Sequence, residues 1–239
     1  MSNKITRRTA VASCLGTLAT AALSHPVPVS SNTILPRAPI PASARSPICV
    51  FTKPFNSISF DALADQIAAL GFDGIEAPIR KGGHIDPTEV SDKLPQLVEI
   101  LAKRNLKITI LTSDINDASD SVSQNVLKVA ASLGIERYRM KYLKYDLQRP
   151  IRKQIENWRP QLMELAALNR DLGITAVYQN HAGKNNLGAP IWDLSVALEG
   201  ITPTEIGVAY DIRHAVVEGG MSWPITFDLI PPPPPPPPP

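Results

Sequence analysis

Seven polar side chains recur at one place in a repeating pattern, the downstream end of a short apolar run. They are Glu76, Asp114, Lys141, Gln179, His181, Asp211 and His214. Carboxylates together with imidazoles are the donor types that hold Mn, Fe, Zn or Mg, and such groups also act as acids and bases. Any single one of them has a plain alternative reading as a solvated rim residue, because a strand end is also where a loop begins. Their joint recurrence is what points to a site.

The apolar runs alternate with longer segments of helical spacing, which is a βα repeat. Strands are expected to begin near Ile48, Asp73, Lys107, Arg137, Ile174 and Ile206. The mean interval, (206 − 48)/5, is about 32 residues, the size of one βαβ step. Phe60, Leu63, Ala64, Ile67 and Leu70 make one apolar helical face, and Leu70-Gly71, Leu133-Gly134 and Leu172-Gly173 repeat the same helix stop. Asp86-Pro87 reads as an N-cap and first helical residue, and Pro95 is expected to break or offset the helix that follows. A short helix is expected over Trp223 to Ile230. Cys49 is expected as a buried strand residue, and His84, in a Gly-Gly turn, as a surface one.

Regular βα units fit an open doubly wound sheet or a closed barrel. Phe51 to Phe55 holds no glycine, and Lys81-Gly82-Gly83-His84 lacks the Lys-Ser/Thr pair of a phosphate loop, so nucleotide folds lose ground. A TIM barrel uses eight units and about 250 residues. Residues 48–230 supply six, so the expectation is an α/β fold of the (β/α)8 TIM-barrel type, incomplete and C-terminally truncated. Two open strand edges would favour association.

Phe72-Asp73-Gly74-Ile75-Glu76, Tyr178-Gln179-Asn180-His181-Ala182-Gly183 and Tyr210-Asp211-Ile212-Arg213-His214 resemble the second, fifth and sixth strand ends of the xylose-isomerase-like barrel superfamily. The likeness runs from about 48 to 230 with the order of units kept. It implies a sugar (phosphate) isomerase or epimerase that moves a proton through an enediolate beside a divalent metal ion, Mn or similar. On this resemblance Asp211 falls on a metal ligand and His214 on a catalytic imidazole. Gln179 falls where the family has a Glu that serves the metal and catalysis, and an amide brings neither charge nor a proton-accepting carboxylate. Glu76, Asp114, Lys141 and His181 would line the pocket and bind the carbohydrate substrate. The family's ligands from strands seven and eight find no counterpart in the six units.

Charge and composition exclude other classes. Hydrophobic residues at 44% and charged residues at 19% are globular values. Of 24 prolines, nine form the run Pro231 to Pro239, leaving 24 − 9 = 15 elsewhere. The formal charge of +2 includes Lys4, Arg7 and Arg8, so without residues 1–24 it becomes +2 − 3 = −1. With aromatic content at 5%, nucleic acid is not an expected partner, and an AP-endonuclease-like repair enzyme, which needs many histidines, ranks last. Thr6-Arg7-Arg8-Thr9 before the apolar run Ala10 to Leu23 resembles a twin-arginine export signal over residues 1–24. That run is too short and too interrupted for a stable membrane span. The twin-arginine machinery is then a partner and the periplasm or exterior the destination, with an organellar transit segment as the alternative. Residues 25–47 read as a Pro-rich linker, and 231–239 as a polyproline tail. The rival function is a non-catalytic periplasmic barrel that binds carbohydrate.

Overall fold

Short runs of alternating burial become strands when each can lay one face on a helical layer. The computed structural model describes residues 46–230. The expected export segment, nearly all of the linker and the proline tail lie outside them. Six strands form one parallel sheet: β1 (Cys49–Phe51), β2 (Gly74–Pro78), β3 (Lys107–Thr112), β4 (Arg137–Arg139), β5 (Thr175–Gln179) and β6 (Ile206–Ala209). Each begins within one residue of its sequence expectation. Their spatial order is the chain order, 1 to 6, with no reversal. A doubly wound sheet reverses order at its switch point, whereas a barrel wall does not, so this is the wall of a TIM barrel. Among the described residues, β1 and β6 each have one neighbouring strand.

The helices are α1 (Phe60–Ala69), α2 (Val90–Ala102), α3 (Ser121–Ser132), α4 (Ile151–Leu172), α5 (Trp192–Ala197), α6 (Ile212–Gly219) and α7 (Trp223–Leu229). Their starts are chemically marked. Ser59 accepts from the Ala62 amide, Asp120 from Ser123 and Asp211 from His214, each satisfying an N-terminal donor that the helix cannot. Gly71, Gly134 and Gly173 all take the left-handed conformation that stops a helix, at φ 76°, 74° and 66°.

The core lies between helices and sheet. Leu63 and Ile67 of α1, Leu94, Leu97 and Leu101 of α2, and Leu162 and Leu165 of α4 cover Ile75, Ala77, Leu111, Tyr138, Ala176 and Tyr178. In β5 the helix-facing Ala176 and Tyr178 are buried, while Thr175, Val177 and Gln179 on the other face are half-buried. The buried tyrosines keep their hydroxyls paired. Tyr138 donates to Asn169 Oδ1 at 2.9 Å, and Tyr178 accepts from the Leu143 amide at 2.9 Å.

Four expectations are corrected. Pro95 does not break its helix: α2 runs through it after a single 3₁₀ turn, Pro87–Glu89, capped by Asp86. An interior proline costs about 3 kcal/mol. Burial of Val90, Leu94, Leu97 and Leu101 at about 1.5–3 kcal/mol each outweighs it. Leu70 is 65% exposed, since it lies past the end of the face it was grouped with. Cys49 is only half-buried, on a strand with one neighbour among the described residues. His84 is not a surface residue; it is half-buried, with Nε2 3.0 Å from the Thr52 carbonyl, pinning the loop after β2 to the end of β1. No helix among the described residues is long and apolar enough to cross a membrane.

Candidate functional site

The face of the sheet turned away from the helices carries the polar side chains, and at its carboxyl end they form one connected row. Glu76 is aimed there by a local irregularity. The β2–β3 register shifts between Ile75 and Glu76, and Gly74 allows the close approach, since a Cβ on it would lie 2.3 Å from the Lys107 carbonyl oxygen. Glu76 then accepts from Thr112 Oγ1 at 2.5 Å and from Arg139 Nε at 3.1 Å. Arg139 is the centre of the row. Besides Glu76 it donates to Gln179 Oε1 at 2.5 Å and to Thr112 Oγ1 at 3.3 Å, and its guanidinium lies 5.0 Å from the Phe51 ring centroid. Tyr142 donates to the same Gln179 oxygen at 2.6 Å.

Gln179 carries the row onward. Its Nε2 donates to Asp211 Oδ2 at 2.9 Å, and Asp211 Oδ1 accepts from the His214 amide at 3.1 Å. Asn180, fully buried, holds the turn after β6 by accepting from the Asp211 amide at 2.6 Å and donating to its carbonyl at 3.0 Å. His214 is 8% exposed and stacks on His181 with ring centroids 4.0 Å apart. Arg213, which can only donate, lies 3.3 Å from His214 Nδ1, so Nδ1 accepts and the ring proton sits on Nε2, 3.7 Å from Asp211 Oδ2. Burial first, and His181 and Arg213 after it, hold the His214 pKa below the usual imidazole range despite the opposing pull of Asp211. Burial likewise pushes the Tyr142 phenol up, so it stays a donor.

Of the seven residues singled out in the sequence, Glu76, Gln179, Asp211, His214 and His181 are brought together in this row. Asp114 and Lys141 are not in it. Both are exposed and line a cleft of about 480 Å³ beside the row, whose wall also includes Thr112, Arg139 and Tyr142. Sequence reasoning missed Thr112, Arg139, Tyr142 and Asn180. Arg139 had a signal: in Arg137-Tyr138-Arg139 the alternation puts both arginines opposite a core tyrosine.

A divalent metal at Asp211 would need lone pairs facing it, and Gln179 does not provide one. Gln179 presents its NH2 to Asp211. Turning the amide over would set its oxygen against the carboxylate and its NH2 against the Arg139 guanidinium, so the direction is fixed. Among the described residues no three His, Cys, Asp or Glu side chains form a ligand cluster. The positive charge at the centre of the row is Arg139.

A parallel strand wall with its polar residues gathered at the carboxyl end defines a TIM-barrel protein with its site on the catalytic face of that scaffold. Residues 64–232 match the family model described as xylose isomerase-like TIM barrel, and the chain belongs to that family. Solved structures share the fold. A protein assigned as a xylose isomerase from Rhodospirillum rubrum superimposes with TM-score 0.62 and 14% identity, over 78% of this chain and 74% of that one. The 3-keto-D-glucoside 4-epimerase of E. coli gives 0.60 and 13%, over 78% and 77%. A D-tagatose 3-epimerase-like protein gives 0.59 and 17%, over 77% and 72%. No curated protein sequence is significantly similar to the chain.

Proposed function

We propose that the chain is a sugar isomerase or epimerase that binds a small carbohydrate across the carboxyl ends of β2 to β6. The observation that carries this is the continuous row from Glu76 through Arg139 and Gln179 to Asp211 and His214. It sets two carboxylates at opposite ends of a strip of fixed donors, a layout suited to several hydroxyls of one polyol. Membership of the family and the likeness to sugar epimerases support the choice of carbohydrate. Proton transfer between adjacent carbons falls to Glu76 and Asp211, with the Arg139 guanidinium placed to stabilise an enediolate oxygen. Participation of a divalent metal is no part of this scheme, because Gln179 turns its NH2 toward Asp211.

Incubating the full chain with fructose or tagatose in deuterium oxide tests the reading. Deuterium entering a carbon position of the recovered sugar, detected by NMR, supports it. A second reading has its own observation: the amide of Gln179 at the middle of the row accepts no proton, which favours carbohydrate binding without turnover. Saturable sugar binding with no deuterium exchange would select that reading.

We also propose export through the twin-arginine route, on the strength of Arg7 and Arg8 before the Ala10 to Leu23 run. Replacing both with lysine is expected to retain the protein in the cytoplasm, as cell fractionation would report. Unchanged export of the double variant removes this proposal.

A further inference from the structure

The cleft beside the row has a charge that the row does not use. Its wall holds Arg80, Arg139, Lys141 and Lys144 against a single acid, Asp114. Arg139 is already offset by Glu76 at 3.1 Å. The rest count three cations to one anion, a formal +3 − 1 = +2. Among the described residues none of Arg80, Lys141 and Lys144 forms an ion pair. Elsewhere Lys93, Lys103, Arg104 and Arg170 each pair with a nearby acid, whereas here three cations without an ion pair share one concavity. Unpaired like charges converging on one concavity repel each other, a cost that a bound anion would remove.

We infer that this cleft binds the anionic group of the substrate, a phosphate or carboxylate carried by a polyhydroxylated carbon chain. The inference rests on the carbohydrate reading above and names its substrate class. Position supports it. Arg139, Thr112 and Tyr142 belong both to the row and to the cleft wall, so a chain of a few carbons with its anion in the cleft lays its hydroxyl-bearing carbons along the row. At about 480 Å³ the cleft lies within the size range of small-molecule sites, about 300–1,000 Å³. Arg80 offers a planar fork and the two lysines offer point charges, the usual combination for an oxyanion. Basic charge continues into a smaller neighbouring cleft of about 240 Å³, which shares Arg80 and Asp114 and adds Lys53 and Lys81. Both clefts are small concavities, a shape that suits a small anion.

The test is calorimetric titration of the full chain with fructose, fructose 6-phosphate, gluconate and inorganic phosphate, repeated on the K141Q/K144Q double variant. Both lysines are exposed, so the variant is expected to fold, and circular dichroism would check this. Fructose 6-phosphate or gluconate should bind about tenfold more tightly than fructose, and the double variant should lose most of that preference. Which of the two anionic compounds binds more tightly identifies phosphate or carboxylate as the group held. Equal affinity for fructose and its phosphate, or a preference untouched in the double variant, overturns the inference and leaves the carbohydrate reading standing. Inorganic phosphate binding that the double variant loses, with no carbohydrate bound at all, would keep the anion cleft and refute the carbohydrate reading.

Discussion

The two halves of the carboxyl face differ in charge and in how far that charge is spent. On the β2 to β4 side, Arg80, Lys141 and Lys144 stand around an open cleft with no ion pair among the described residues. On the β5 to β6 side, Gln179, Asn180, Asp211 and His214 are linked to one another by hydrogen bonds. A satisfied network fixes geometry, and an unsatisfied one waits for a ligand. The difference teaches a division of labour, with one side gripping and the other holding groups in place for chemistry. Arg139 is the hinge between them, bonded to Glu76 on one side and Gln179 on the other.

The comparison breaks most completely if Arg139 is removed. Arg139→Met leaves Glu76, its side chain 18% exposed, without its counter-charge and takes one of two donors from the Gln179 oxygen. The expected cost is about 2–4 kcal/mol in urea unfolding, with loss of ligand binding. A cost below about 0.5 kcal/mol would mean that solvent screens the pair and that the halves are not joined through it.

Gln179→Glu sharpens the contrast by setting a second carboxyl group against Asp211 on the β5 to β6 side. The introduced carboxylate faces Asp211 where a 2.9 Å hydrogen bond now stands, so the two share a proton and the pair's folded pKa is raised. A raised carboxyl pKa contributes stability that is present at low pH and lost as pH rises through the folded value. The variant should therefore lose more stability relative to wild type at pH 7 than at pH 5. It should also gain a rise in melting temperature with Mn that wild type lacks, since two carboxylates now face the cation. Identical responses of the two proteins to Mn would separate this position from metal affinity.

The smallest effect concerns the loop that carries Arg80. Burial lowers the His84 pKa, and the Thr52 carbonyl only partly opposes this. His214 shifts the same way. Such imidazoles bind fewer protons folded than unfolded, so their contribution is present above about pH 6.5 and falls as pH drops through the lowered folded value. The urea midpoint of wild type should decline between pH 7.5 and 5.5, and His84→Gln should flatten part of that decline. A variant with the same slope as wild type would show that His84 does not sense this range.

Strand positions were legible because period-2 runs and repeated Leu-Gly stops are local signals, and every strand began within a residue of expectation. The site was half legible. Gln179 ends β5 and Asp211 caps the helix after β6, where the chain itself announces a loop, whereas Glu76 lies within β2 and not at its end as the sequence suggested. Arg139 and Thr112 also close their strands, but what joins them to the site is the face they present, which depends on register and on the β2–β3 irregularity that no single segment encodes. Pro95 was misread for the same kind of reason. Its local penalty is visible in the sequence, whereas the burial that overrides it belongs to the tertiary structure.

The loops after β4 and β5 are tied together backbone to backbone. The Tyr145 amide donates to the Asn185 carbonyl at 2.8 Å and the Leu187 amide to the Leu143 carbonyl at 3.0 Å, around a Lys144–Asn186 bridge. The consequence is mechanical: the segment bearing Lys141, Tyr142 and Lys144 cannot swing without carrying the segment after His181 with it. Ligand capture on one side of the mouth would thus be felt as a displacement or stiffening on the other, over a lever only two hydrogen bonds wide.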